Sequence, residues 1–524
     1  MTGSMLRKRV FLELRTDGDG WLATAPKLCV GDVEIRGTAE RATELTAYYG
    51  EDLKQAQRRK PYTGWVDPLR DSATVGPGPF VMRGPARRSV RAVSIAPNPA
   101  LRIESVVVEH AHFQGPNPGR FACDDVEVNE LWEIAAHTIR CCSQEFLEDG
   151  PCRDGMCWIG DCAVAGPAAL LVVDGAYLLK RSLSMFLELA RPDGSLPANA
   201  VRAGGHRLDR LPYLRANPQG PLGEWTLANY VADYAIAIRD YVHWTGDAGM
   251  RQDCREVVQK AGLWCVGTLS RLAEGADTGD YITDNDGSPD GPWWRSPGTL
   301  ACQLYGGVAV GAGLTGDADL AAALEQCGGF VKPYRAANGG FSDEPDGPPS
   351  RHATSAGVLA ELTNAAHDLF DDRHYAQARP LVSGYAASQW LAAIARSGDT
   401  GLVLDHLRRW WGPMRAAGSS TAWERLDPRD GSYPRPDGAP VSQCHAWSGA
   451  PAALLPLKIL GIECRAPGWD TLRIAPRLGP LRWAEAAVPT PHGLIEVRAE
   501  RNEKSGAVAV EKVLPSGCRE ERGY

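Results

Sequence analysis

Apolar residues recur along this chain with two different periods, and the change from one to the other divides it into three stretches. Over the first 118 residues they come in short, β-branched runs separated by Gly and Pro: VFLEL (10–14), LCVGDVEI (28–35), RAVSIA (91–96) and RIESVVVEH (102–110). That is the pattern of strands. Between 36 and 65 the chain is more polar, and ATELTAYYGEDLKQAQ is expected to hold a helix. From about 126 the apolar positions take helical spacing, in VNELWEIAAHTIRCCSQ, YLLKRSLSMFLELA, GEWTLANYVADYAIAIRDYVHWTG, ADLAAALEQCGGFV, SAGVLAELTNAAHDLF, SGYAASQWLAAIA, LVLDHLRRWWGPM and WSGAPAALLPLKILG. Roughly a dozen helices are expected through residue 461. The last 60 or so residues return to strands, in TLRIAP, LRWAEAAV and GLIEVRAE.

The helix turns share a chemistry. HWTGD (243–247), GLTGD (313–317) and RSGD (396–399) each offer a Gly to end one helix and an Asp to cap the next. Their Asp residues, at 247, 317 and 399, are 70 and 82 residues apart, too irregular for a solenoid repeat. A toroid of helical hairpins fits better. The expected fold is mainly α: a β-rich region over 1–118, a helical unit over 119–462 and a small β domain over 463–524.

At 524 residues the chain exceeds the size at which one core stops growing. Its 44% apolar and 23% charged content is that of an ordinary globular protein. The 56 basic and 64 acidic residues are interspersed and leave a formal charge of −8, so there is no basic footprint for nucleic acid or for an anionic membrane. No window approaches the roughly 18 apolar residues of a membrane span. The opening MTGSMLRKRVFLEL lacks a long apolar segment and does not read as a signal peptide. Fourteen cysteines include no CxxC pair, and Cys152, Cys157 and Cys162 recur at a spacing that suits neither zinc nor an iron–sulfur cluster. Reduced thiols in a cytoplasmic protein are expected.

Candidate chemistry concentrates in EDGPCRDGMCWIGD (148–161). Gly150, Pro151, Gly155 and Gly160 rule out an ordinary helix, so Asp149, Arg153, Asp154, Trp158 and Asp161 sit on a loop before an apolar helical run. Loop acids are usually solvated, and Asp161 could simply cap the following helix. The combination with Trp158 and Arg153 points elsewhere, because a stacking surface beside charged hydrogen-bond partners is how proteins hold sugars. No histidine lies nearby in sequence to favour a metal. Far downstream, SSTAWERLD (419–427) places Glu424 between Trp423 and Arg425, and SQCHAWSG (442–449) follows with His445 and Trp447. Carboxylates with aromatic neighbours in two distant loops are what glycoside hydrolysis requires, one to protonate the leaving oxygen and one to activate water or attack the sugar.

These segments resemble the α-L-rhamnosidases of glycoside hydrolase family 78. The resemblance runs from about 119 to 497 and is carried by GRFACDDVEVNELWEIAAHTIRCCSQEFLEDGPCRDGMCWIGD, STAWERLD, SQCHAWSGAPAALLPLKILGI, PGWDTLRIAP and VPTPHGLIEV. It implies a six-hairpin α/α barrel, an inverting mechanism and no metal or organic cofactor. It puts Asp154 at the general acid and Glu424 at the general base, with Asp149, Arg153, Trp158, Asp161 and His445 gripping the rhamnose ring. Trp225, Trp293 and Trp294 are further stacking candidates, although Trp225, expected on a helix, could equally be core. The partner implied is a small-molecule or oligosaccharide rhamnoside. The chain departs from the family in having Asp154–Gly155 where Glu followed by Arg is usual. The shorter acid would retreat unless the loop advances, and Gly155 gives the backbone freedom for that. The lost cation would otherwise have lowered the acid's pKa. The acidic linker DNDGSPDGPWW (284–294) is expected to shape the leaving-group site. Two alternatives stay open: a six-hairpin hydrolase or lyase acting on a uronic-acid-containing sugar, and a sugar-binding homologue that has lost its acid.

Overall fold

The computed structural model describes residues 3–57, 69–152, 155–200, 225–284, 295–426 and 442–521. Arg153, Asp154, Trp293 and Trp294 lie outside them.

The N-terminal runs form one antiparallel sheet. β1 (Ser4–Phe11), β8 (Leu101–Gln114), β3 (Gly20–Ala39), β7 (Arg88–Ile95), β4 (Thr43–Gly50) and β5 (Arg70–Val75) lie in that order, and β2 (Glu13–Asp17) and β6 (Gly78–Arg83) also pair with β3. Alternate residues of the central strands, including Val33, Ile35, Val93, Ile95, Val106 and Val108, are buried in a core of their own. The stretch ATELTAYYGEDLKQAQ does hold a helix, but only over Leu53–Gln57, and Thr43–Gly50 is a strand. Leu45, Ala47 and Tyr49 alternate into the core, and the backbone of β4 is taken up on both sides by β5 and β7. Tertiary pairing outweighs helix propensity there.

The helical spacing downstream yields α1 (Val126–Cys142), α2 (Ile159–Val172), α3 (Ala176–Leu189), α4 (Ala228–Thr245), α5 (Arg255–Ala273), α6 (Pro297–Thr315), α7 (Ala318–Val331), α8 (Arg351–Leu359), α9 (Gly384–Ser397), α10 (Thr400–Ala416) and α11 (Pro451–Ile459). The three Gly-Asp turns form as expected. Gly246, Gly316 and Gly398 end their helices at φ of 68°, 65° and 74°, and the carboxylates of Asp247, Asp317 and Asp399 accept the amides of Met250, Leu320 and Leu402. SAGVLAELTNAAHDLF is not one helix. α8 stops at Leu359, Glu361 takes a φ of 61°, and Phe370 instead reaches Trp390 of α9 from a 3₁₀ turn, ring centroids 5.3 Å apart.

Six helices, α2, α4, α6, α8, α9 and α11, pack each against the next, and α11 returns onto α2. All six contribute to the lining of a cavity of about 680 Å³. No helix among the described residues is long and apolar enough to cross a membrane. A C-terminal sheet follows, of β10 (Trp483–Thr490), β11 (Gly493–Arg501) and β12 (Val508–Val513), and its fourth strand is β9 (Arg120–Cys123), which leads into α1. The two ends of the helical region are therefore tied through one sheet.

The ring depends on close helix approach. A Cβ added at Gly307 of α6 would stand 2.6 Å from Ala232 Cβ and 2.8 Å from Ala232 Cα of α4, whereas one at Gly313 of α6 would meet nothing within 4 Å. Gly307→Ala should therefore destabilise by about 1–3 kcal/mol through overpacking. Gly313→Ala should be neutral or stabilising by up to about 1 kcal/mol through helix propensity. Thermal unfolding of the two variants beside the parent tests this, and equal effects would contradict it.

Candidate active site

The acidic loop joins α1 to α2. Its ends are pinched together where the Asp149 amide donates to the Met156 carbonyl (3.0 Å), and Gly155 between them takes a φ of +62° that only glycine adopts readily. Asp149 and Asp161 are both buried, at 4% and 1% exposure. Asp161 does not cap α2. Trp158 holds the N-cap position and Asp161 falls in the first turn, where the helix N-terminus favours a negative charge.

Glu424 is buried at 1% exposure on the segment that follows α10. Its backbone is held on both sides. Glu424 N–H donates to the Ser442 carbonyl (2.8 Å), and its carbonyl accepts from Gly384 N–H (2.9 Å) and Trp447 Nε1 (3.2 Å). One carboxylate oxygen accepts the Ser442 amide at 3.0 Å. A second layer fixes the Gly384 side. Asp284 accepts the amides of Val382 (3.0 Å) and Ser383 (2.7 Å) and contacts His352 Nε2 (2.8 Å). Burial pushes the Asp284 carboxyl up, but those hydrogen bonds outweigh it and hold the carboxyl below the ordinary carboxylate range. Asp284, the first residue of the acidic linker, is thus turned inward onto the backbone, and the rest of that linker lies outside the described residues.

The acidic loop and the Glu424 segment meet on residues 442–447. Ala446 N–H donates to the Asp149 carbonyl (2.7 Å), and His445 N–H to the Ala422 carbonyl (3.0 Å). His445 Nε2 lies 3.4 Å from Asp161 Oδ1, and its ring packs on Trp447 at 4.2 Å. Trp158 is half-buried and meets Trp225 and Tyr230 edge-on at 6.0 and 6.4 Å. Trp225 precedes α4 rather than lying on it, and its Nε1 donates to Asp280 (3.0 Å). Asp149, Trp158, Asp161, Trp225, Glu424 and His445 therefore gather near the N-terminal ends of the ring helices, and none of them lines the 680 Å³ cavity.

Sequence reasoning missed Tyr230 and Tyr385, which form the floor. Burial, and then the nearby Asp161 carboxylate, pushes the Tyr230 phenol well above its usual range, so it is neutral. Tyr385 packs against Tyr230 (6.3 Å) and Trp447 (5.8 Å), and its hydroxyl donates to Asp233 (2.8 Å) while accepting from Asn229 and Gln303 (both 3.2 Å). These residues sit within helical patterns that any core helix would show, so nothing in the sequence singled them out.

Residues 116–264 match the bacterial alpha-L-rhamnosidase 6 hairpin glycosidase domain, and residues 461–521 the bacterial alpha-L-rhamnosidase C-terminal domain. No curated protein matches the chain. Among solved structures, the GH78 family rhamnosidase of Bacillus sp. GL1 is 21% identical, with a TM-score of 0.75 over 98% of this chain and 55% of that one. The rhamnosidase from Klebsiella oxytoca with rhamnose bound is 18% identical, with a TM-score of 0.67 over 86% and 96%. The Streptomyces avermitilis alpha-L-rhamnosidase complexed with L-rhamnose is 19% identical, with a TM-score of 0.70 over 99% and 50%. The chain thus spans about half the length of two of these proteins, and at such identities the likeness is one of fold. The resemblance to the family 78 rhamnosidases read from the sequence motifs is shown in both the domain matches and the fold.

Burial pushes the Asp233 carboxyl up to about 7, against the opposing hydrogen bond from Tyr385. A carboxyl with a raised folded-state pKa stabilises the fold below its unfolded value, and that stability is lost as pH rises from about 4 through 7. Asp233→Asn keeps an acceptor for Tyr385 without the charge. Its thermal midpoint should gain on that of the parent between pH 5 and pH 8, and a constant difference would contradict this.

Proposed function

We propose that this chain is a glycoside hydrolase that removes terminal α-L-rhamnose from a small-molecule or oligosaccharide glycoside with inversion. The observation that carries the reading is the convergence of Asp149, Asp161, Glu424 and His445 from three separated segments onto one end of the helical ring. The ring is read as a closed six-hairpin toroid over 119–462, flanked by a β-rich domain over 1–118 and a β domain over 463–524. The sixth outer helix is replaced by the 3₁₀ turns at His367–Phe370 and Asp372–Tyr375.

In this reading Asp154 donates a proton to the glycosidic oxygen as the bond to the anomeric carbon breaks. Glu424 takes a proton from a water attacking the opposite face. The hydrogen bond from Ser442 N–H fixes one of its carboxylate oxygens, which orients the base toward that water. The two carboxyls are expected about 6.5–9.5 Å apart, with the water between the base and the sugar. Asp149 and Asp161 accept sugar hydroxyls, Arg153 orients them, and Trp158 meets the apolar face and the methyl group. His445, held between Trp447 and Asp161, presents its imidazole to the ring. The positive φ at Gly155 supports a loop able to advance the shorter Asp154. The sugar's fit needs no metal or organic cofactor. Fourteen cysteines, all present as free thiols, support a reducing, cytoplasmic setting.

The purified chain should release aryl alcohol from an aryl α-L-rhamnoside, and the sugar first released should be the β-anomer by proton NMR. Asp154→Asn and Glu424→Gln should each cut kcat by about 10²–10⁴-fold, the range for losing a general acid or base. Turnover of an aryl uronide in place of the rhamnoside would instead favour uronate chemistry. Binding of L-rhamnose without turnover of either substrate would favour a sugar-binding protein.

A further inference from the structure

The N-terminal sheet reaches into the site through one buried side chain. Glu51 follows β4 directly and is 4% exposed. Its carboxyl is bonded to three separate parts of the chain. Oε1 accepts from Ser89 Oγ of β7 (2.7 Å), Oε2 accepts from Gln443 N–H (2.6 Å), and the Cys152 thiol donates a further hydrogen bond. Cys152 is the residue before Arg153 and Asp154 in the acidic loop. Gln443 lies in the segment that holds Glu424.

The geometry at Gln443 makes this more than a surface tie. The peptide unit joining Ser442 to Gln443 is planar and rigid. Its N–H donates to Glu51, and its C=O accepts the Glu424 amide at 2.8 Å. Glu51 and Glu424 are thus held by opposite ends of one peptide plane. The neighbouring Asp52 carboxylate binds the Gln443 side-chain amide, and Arg87, the residue before β7, pairs with Glu148 at the start of the acidic loop (2.5 Å). A carboxyl this deep is costly unless its hydrogen bonds are made, and burial pushes it up to about 7.

We infer that Glu51 is a positioning residue that fastens the acidic loop and the Glu424 segment to each other and to the N-terminal sheet, which makes the sheet part of the active site. The inference rests on the proposed hydrolase reading only for its kinetic consequence.

Amide hydrogen exchange by mass spectrometry tests the fastening without requiring activity. In Glu51→Ala, exchange should speed up in peptides covering both 148–157 and 442–446, with peptides of α4 and α6 unchanged. Glu51→Gln preserves an acceptor for Gln443 and has a donor for Ser89, so it should return both loops close to the parent's protection. Acceleration in one loop only, in neither, or equally throughout the chain would overturn the inference. With an aryl α-L-rhamnoside, Glu51→Ala should lower kcat by about 100-fold, the cost of roughly 1 Å of misplacement, with KM within about threefold. Glu51→Gln should recover most of that loss. A KM rise without a kcat loss would count against positioning of the catalytic pair. An inactive parent enzyme would overturn the hydrolase reading and leave the exchange measurement to decide the role of Glu51.

Discussion

A backbone buried as deeply as residues 442–446 must find a partner for its amides, and water is not there to supply one. Residues 442–445 lie in no helix or strand, and Ala446 opens a 3₁₀ turn. Ser442 N–H goes to the Glu424 carboxylate, Gln443 N–H to Glu51, His445 N–H to the Ala422 carbonyl and Ala446 N–H to the Asp149 carbonyl. These partners come from three distant places: the Glu424 segment, the residue after β4 and the acidic loop. The segment can be satisfied only when the acidic loop, the Glu424 segment and the N-terminal sheet are all in place. The site residues are therefore held to one another through the main chain.

That constraint explains what the sequence could and could not reveal. The Gly-Asp turns were legible because each is local: a left-handed glycine and an aspartate that caps the next three residues. The helices were legible because their apolar faces repeat. The strand at Thr43–Gly50 was not, because its helix-like composition is overridden by hydrogen bonds from strands tens of residues away. The end of α8 was hidden because Phe370 satisfies the apolar pattern from a 3₁₀ turn. At the site, Asp149, Trp158, Asp161, Glu424 and His445 stood out by residue type and by motif. Glu51, Tyr230 and Tyr385 did not, since each acts through a partner remote in sequence and none sits in a distinctive local pattern; Asp284 lay in the acidic linker the sequence singled out, but its hold on the Val382 and Ser383 amides was not legible there.

The candidate site and the cavity within the helical ring are chemically unlike. At the site, carboxylates, an imidazole and tryptophans converge near helix N-termini, whose partial positive charge suits Asp161 in the first turn of α2. The 680 Å³ cavity is walled by residues such as Val164, Ile236, Val310, Leu454 and Leu457, with charged side chains including Arg239, Arg396 and Lys458 among its lining. Tyr385 stands at the boundary, its ring toward Trp447 and its hydroxyl on Asp233 and Gln303, which line the cavity. The 680 Å³ cavity is therefore not where Asp149, Asp161, Glu424 and His445 converge.

The most direct test of this assignment is a crystal structure of the chain with L-rhamnose bound. The sugar should lie between Trp158 and His445, with hydroxyls on Asp149 and Asp161 and its anomeric carbon facing Glu424. Rhamnose found instead in the 680 Å³ cavity, or bound without contact to Asp161 and His445, would contradict it.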